Sequence, residues 1–479
     1  MNKKIEDILE IFQQINNIPR CSKKEEEISN WLMDWAKEHK LKAVRDEVKN
    51  VLIKVPATKG LEDRQTIVIQ GHMDMVCEKT PNSSHDFSKD PIENIIDGNW
   101  LHANHTTLGA DNGVALAFGL ELARDKNIDH PPLELLFTVD EETGLTGANA
   151  LKDDLLSGKI LLNLDSEEEG TFTIGCAGGR DTEIILPINY EKILDNYLLY
   201  KIEVSGLMGG HSGQDITVHR ANANKVLARV LQSIKEKCLF NIVDLSGGTA
   251  HNAIPRDSNA IISFKSEFYE KIKQIVDEVE DIIQNEFSET EDSIKIKLIE
   301  SNENYTESFD VKTTERAIDL LIALPHGIKE MSLEFKGLPE TSCNLATIEI
   351  ENGKLKILSS QRSSKMSVRD SLTKEIETIA KLGGAEYKSG EGYSSWQPNT
   401  DSKLLAHCKD VYKQKFEKDA KIEVVHGGLE CGVIGAKYEG MDMISIGPTI
   451  KNPHSPQEKL YIPSIIKFWD FVCELLKSF

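Results

Sequence analysis

Residues 133–144 read LELLFTVDEETG. A mostly apolar run, interrupted by Glu134 and Thr138, stops abruptly at Asp140-Glu141-Glu142. Such a run, bounded by polar and turn residues, predicts a strand buried on both faces, as in a parallel sheet. The same grammar recurs on either side. TIVIQ (66–70) runs into Gly71-His72-Met73-Asp74, ILLNL (160–164) into Asp165, and MISI (443–446) into GPTIKNPHSPQE, which contains His454. Between the first two strands, DNGVALAFGLELARD (111–125) is apolar nearly all round, which predicts a helix enclosed in a large domain. Strands alternating with such helices imply an α/β fold.

The texture changes from about residue 182. Longer, more alternating strands appear (DTEIILPINY, YLLYKIEVSG, NAIISFKSEF), with amphipathic helices at RANANKVLARVLQSIKEK (220–237) and FYEKIKQIVDEVEDIIQNEF (268–287). LKILSSQRSS (355–364) and MSVRDSLTKEIETIAKLGG (366–384) repeat a loose strand–helix order, and GGAEYKSGEGYSSWQPNTDS (383–402) reads as a linker. The buried α/β style then returns. The expected organisation is one mixed-sheet α/β domain built from 1–182 and 393–479, interrupted by an α+β domain at 183–392.

With 479 residues the chain is too long for one ordinary domain. Lys plus Arg number 56 against 78 Asp plus Glu, a formal charge of −22, and such a surface repels nucleic acid and anionic lipid. No apolar stretch reaches the ~18 residues of a membrane span. The start, MNKKIEDILEIF, reads as an amphipathic helix and not as a signal peptide. Eight cysteines, at 21, 77, 176, 238, 343, 408, 431 and 473, form no C-x-x-C pair or regular framework. They are expected as unpaired thiols of a cytoplasmic protein.

In open α/β sheets, ligands bind beyond the carboxyl ends of the strands. Four strand ends here, and the helix start Leu108-Gly109-Ala110-Asp111, each deliver a carboxylate or imidazole to that edge. Singly each is weak; together they count out as a dinuclear metal site. Two ions ~3.5–4 Å apart need one bridging carboxylate and terminal partners on each side. His72 with Asp165 suits one ion, Glu142 with His454 the other, and Asp111 the bridge. Asp74, two residues beyond His72, is placed to hold the other ring nitrogen of that histidine. Glu141 is left over beside Glu142, as a general base for a metal-bridging water requires.

GHMDMV, TLGADNGV, TVDEETGLTGA, NLDSEEEG, GLMGGHSGQDI, NAIPR, HGGLECG and GPTIKNPHSPQE together resemble the blocks of the carnosinase-like family of dinuclear zinc peptidases, in that family's order. Within it they are most similar to the bacterial aminoacyl-histidine dipeptidases. The resemblance implies a zinc-exopeptidase-like catalytic domain interrupted by a lid, with His72, Asp111, Glu142, Asp165 and His454 as metal ligands and Glu141 as base. It implies His211 as a lid histidine approaching the scissile carbonyl oxygen. It also implies that Asn252, Arg362 and the main chain of Gly427 hold the substrate carboxylate, with Arg369 as the rival to Arg362, read here as a helix-start residue on a solvated face. A cis peptide at Asp111–Asn112 belongs to the same implication, as does a homodimer in which each His211 completes the other subunit's site. The expected activity is metal-dependent hydrolysis of dipeptides, Xaa-His and broader, with two zinc ions per subunit, or cobalt or manganese. The alternatives are an N-acyl amino acid deacylase or tripeptidase of the same fold, and a non-catalytic binding protein.

Overall fold

A computed structural model of the chain describes residues 2–479. The chain forms two compact units, one from Met1–Cys176, Trp396–Val424 and Leu429–Phe479, the other from Ala177–Ser395 and Val425–Gly428.

The first unit is built on an eight-stranded sheet. Its spatial order is Lys42–Arg45, Val51–Val55, Leu133–Thr138, Ile67–His72, Ile160–Asn163, Asp442–Ser445, Thr171–Cys176 and Lys421–Val425. The four central strands run parallel, and antiparallel strands flank them. This mixed α/β architecture bears out the sequence reading. Every residue of Leu133–Thr138 and of Ile67–His72 is buried, which is why those segments are almost continuously apolar. The helix Ala110–Arg124 is buried from Ala110 through Ala123. Phe118 packs edge-on against Phe468 of the closing helix Ile462–Ser478, with ring centroids 4.9 Å apart. Such a pair adds about 0.5–1.5 kcal/mol to the area it buries. The opening helix, Lys3–Asn16, buries Ile5, Ile8, Ile11, Phe12 and Ile15 at helical spacing.

The second unit carries a nine-stranded sheet, antiparallel in its recorded pairings, and four long helices: Ala223–Lys235, Tyr269–Glu286, Val311–Ala323 and Met366–Leu382. The apolar sides of these helices share one core with the inward residues of the strands, among them Ile202, Ile262 and Ile357. The supposed linker is more ordered than its composition suggests. Glu386–Ser389 is an edge strand paired with Gly178–Pro187, and Trp396 is buried and bridges Cys176. A backbone ladder needs no apolar side chains, so a Gly/Ser-rich passage can pair without announcing it.

The cysteine expectation needs a correction. Cys21 and Cys77 form a disulfide with Cα atoms 5.7 Å apart, bridging 56 positions, while the other six remain free. The contact arises because Cys21 pairs with Met75, just before Cys77, a tertiary juxtaposition that spacing cannot reveal. Among the described residues, no helix is long and apolar enough to cross a membrane.

Candidate active site

The strand ends of the first unit bring their polar residues together. Asp140, with φ of 51°, takes the left-handed conformation directly after its strand and starts the one-turn helix Glu141–Gly144. Asp is one of the few non-glycine residues that adopts this region readily. His454 is also left-handed, with φ of 58°. The Asp111–Asn112 peptide is cis.

Asp111 stands between two imidazoles. Its Oδ1 lies 3.2 Å from His72 Nε2, and its Oδ2 lies 3.0 Å from His454 Nε2. His72 Nε2 is also 3.4 Å from Asp165 Oδ1, and His454 Nε2 is 3.0 Å from Glu142 Oε2. The result is two donor triads, His72–Asp111–Asp165 and Asp111–Glu142–His454, in each of which the ligand atoms lie within 4.8 Å of one another. Asp74 Oδ1 faces His72 Nδ1 at 3.3 Å, while Asp74 accepts from the amides of Glu141 and Glu142 and from Ser22 Oγ. A single buried carboxylate thus positions one histidine and the turn that carries both glutamates.

The electrostatics agree with a cation site. Burial disfavours a charged His72, but Asp165, Asp111 and Asp74 outweigh it and raise its pKa well above the ordinary value. His454 is raised for the same reason: Asp111 and Glu142 overcome its burial. The two histidines in turn hold Asp111 well below the usual carboxylate range, against its burial. Burial and Asp111 push Glu142 up to about 7. Glu141 rises well above its ordinary value through burial, with Glu142 and Asp165 adding to the shift against the pull of His72. Glu142 Oε1 is buried with no hydrogen-bond partner. Three carboxylates and two imidazoles around a common centre, with one oxygen left orphaned, fit divalent cations in the manner of His and carboxylate metal sites.

The remaining predicted residues belong to the second unit. His211 lies in the short strand Gly210–His211, paired with Ala253, and its Nδ1 accepts the Gln214 amide at 3.2 Å. That bond assigns the ring proton to Nε2, making Nε2–H a donor. Asn252 gives its main-chain oxygen to the Ser212 amide at 2.7 Å. Arg362 is buried and donates from Nη1 to Tyr393 Oη at 2.8 Å, with Nε unpartnered. Arg369 does not sit on a solvated face. It is buried, donates from Nη1 to the carbonyls of Gly179 and Tyr393, and pairs through Nε and Nη2 with Asp370 Oδ1 at 3.0 and 2.7 Å, so its charge is already committed within the fold. A Cβ at Gly427 would meet nothing within 4 Å, so the main chain there borders open space.

Sequence reasoning passed over Glu430. Its buried carboxylate accepts from Gln70 Nε2 at 2.5 Å and Thr138 Oγ1 at 2.6 Å, two residues before His72 and Asp140 respectively. The polar residues inside otherwise apolar strands were the available signal.

Comparison with known proteins follows the same direction. The chain matches the family model described as peptidase family M20/M25/M40 over residues 68–478. It is 39% identical over 469 residues to the cytosol non-specific dipeptidase of Escherichia coli (strain K12), covering 98% of this chain and 96% of that protein. Among solved structures it resembles the aminoacylhistidine dipeptidase of Vibrio alginolyticus with a TM-score of 0.81 and 38% identity, covering 98% of this chain and 96% of that one. A tripeptidase from Staphylococcus aureus shares the fold at a TM-score of 0.55 and 16% identity, covering 99% and 98%.

Proposed function

The chain belongs to peptidase family M20/M25/M40, and from that premise we propose that it is a dinuclear metal-dependent dipeptidase. The observation that carries the reading is Asp111, whose two oxygens each face a different imidazole that meets a further carboxylate. His72 and Asp165 would hold one cation, Glu142 and His454 the other, and Asp111 both. Zinc suits this nitrogen and oxygen set, and cobalt or manganese would be accepted by the same donors. Two such ions supply Lewis acidity toward the scissile carbonyl and acidify the attacking water.

The side chains do the rest. Glu141 takes the proton of the attacking water and returns it to the leaving amine, a role suited to a carboxylate whose pKa burial raises above its ordinary value. Asp74 keeps His72 in orientation. His211 Nε2–H donates to the carbonyl oxygen as it becomes negative. Arg362, Asn252 and the main chain of Gly427 receive the terminal carboxylate, for which a guanidinium fork is well matched. On this reading the first unit is the catalytic domain and the second a lid that also dimerises. The enzyme is a cytoplasmic homodimer, in keeping with the cytosolic relative.

Support for dipeptides over longer or acylated substrates comes from the two relatives near 40% identity, while the tripeptidase shares fold alone. The test is a panel of β-Ala-His, Gly-His, Leu-Gly, triglycine and N-acetyl-Met with metal-reconstituted protein. Cleavage of the dipeptides is expected. Exclusive cleavage of triglycine or N-acetyl-Met, or none of any substrate by metal-loaded protein, overturns the reading. Light scattering of the same sample reads the assembly state.

A further inference from the structure

Arg20 is almost fully buried, 2% exposed, and lies beside the metal-binding loops without belonging to any motif of the site. Its Nη1 donates to the carbonyls of Met73 and Asp74 at 3.3 and 3.2 Å. Its Nη2 donates to the carbonyl of Gly109 at 2.6 Å and to Asn16 Oδ1 at 3.1 Å. One guanidinium therefore ties the loop after His72 to the turn before Asp111. Two glycines make the room: a Cβ at Gly109 would collide with Nη2, and one at Gly113 would stand 2.6 Å from it. Gly109 also has φ of 70°, a conformation that favours glycine.

Glu458 holds the same turn from the other side. Its Oε2 accepts the amides of Leu108 and Gly109 at 2.8 and 2.9 Å, and its Oε1 accepts that of Asp111 at 3.2 Å. Asn16 completes the arrangement by donating to the Leu108 carbonyl at 3.0 Å. The opposite charges of Arg20 and Glu458 thus close on the main-chain amides and carbonyls of residues 108–111 together. A buried guanidinium is costly unless its protons are bonded, and here three of its four bonds go to the backbone of two metal-bearing segments, while Nε has no partner. Burial lowers the Arg20 pKa only to about 10, because Glu458, Asp74, Asp111 and Glu142 oppose the loss of charge. It stays a cation at neutral pH.

We propose that Arg20 and Glu458 are positioning residues for metal binding, which fix the bridging carboxylate Asp111 relative to His72 by clamping the two turns that carry them. Arg20 precedes the region 68–478 matched by the family model, so the N-terminal segment is part of the metal-site machinery and not merely a cover for the sheet. Partners that orient ligands in this way typically account for ~10–100-fold in metal affinity. The inference rests on the proposed dinuclear site.

The experiment compares wild type, Arg20→Lys and Glu458→Gln. Lysine keeps the charge but cannot span both loops with a planar fork, and glutamine keeps the shape but not both acceptors. Metal-free protein is titrated with Zn²⁺ against a chromophoric chelator, and the melting temperature is measured before and after loading. Wild type should take two ions. Each variant should bind at least one ion 10–100-fold more weakly and gain less melting temperature on loading. Folded variants that take both ions with wild-type affinity, even with a lower metal-free melting temperature, would show a merely structural tie and overturn the proposal. If Arg20→Lys does not fold, Glu458→Gln decides by the same readouts. A wild-type protein that takes up no pair of ions overturns the proposed function itself, and this inference with it.

Discussion

His454 Nε2 lies 3.0 Å from Asp111 Oδ2, although 343 positions separate the two residues in the chain. The approach joins a loop near the C-terminus to a helix start in the first quarter of the sequence. It makes Asp111 common to two donor sets, and the expected consequences differ by residue. His454→Ala should leave one ion per subunit after dialysis, since His72 and Asp165 are intact. Asp111→Asn should lower both. Elemental analysis of the dialysed proteins reads the difference, and equal metal loss in the two variants would contradict the bridging role.

Arg362 and Arg369 make opposite predictions despite their proximity in sequence. Arg362 bonds Tyr393 Oη and keeps Nε unpartnered, whereas Arg369 is committed to two carbonyls and to Asp370. Arg362→Lys should raise KM for dipeptides ~10-fold or more while the melting temperature stays near wild type, because a point charge replaces a fork. Arg369→Lys should lower the melting temperature and leave KM close to wild type. A reversal of this pattern in steady-state kinetics and thermal melts would reassign the carboxylate to Arg369.

His426 should make stability fall in acid. It is buried, its Nε2 is 2.7 Å from Ser342 Oγ, and burial together with the Arg362 cation pushes its pKa down to about 3. The unfolded chain takes up a proton near the ordinary value of ~6.5, so between ~6.5 and ~3 it binds more protons at this residue than the fold does. Stability contributed here is present above ~6.5 and is lost as pH falls through that window, at up to ~1.4 kcal/mol per pH unit. His426→Gln removes the titration. Its melting temperature should fall less than wild type's between pH 7 and pH 4, and parallel pH slopes would contradict the assignment.

Much of this was legible in the sequence, for a physical reason. A strand buried on both faces must be apolar, so the polar residues that end each run stand out against it, and these are His72, Glu141, Glu142 and Asp165. The α/β class followed from the same contrast. Arg20 and Glu458 were not legible, because they act on carbonyls and amides, and main-chain groups leave no mark on residue identity. Arg369 was misread because a charged residue at a helix start is usually solvated, and its burial is explained by the backbone oxygens of Gly179 and Tyr393 together with its ion pair to Asp370. The Cys21–Cys77 pair escaped for want of any local spacing rule. His211, Asn252 and Gly427 came from resemblance alone, since short turns carry no periodicity from which a role can be argued.

The central claim is that Glu141 moves a proton at a site whose cations are held by other residues. Its carboxyl is raised well above its ordinary value by burial and by its acidic neighbours, yet it is not needed for either donor triad built on Asp111. The most direct measurement takes Glu141→Gln, determines its metal content, and assays the same sample on a dipeptide under saturating substrate. The account predicts two ions per subunit, as in wild type, with turnover reduced ~10²–10⁴-fold. Wild-type turnover in the fully loaded variant would contradict it.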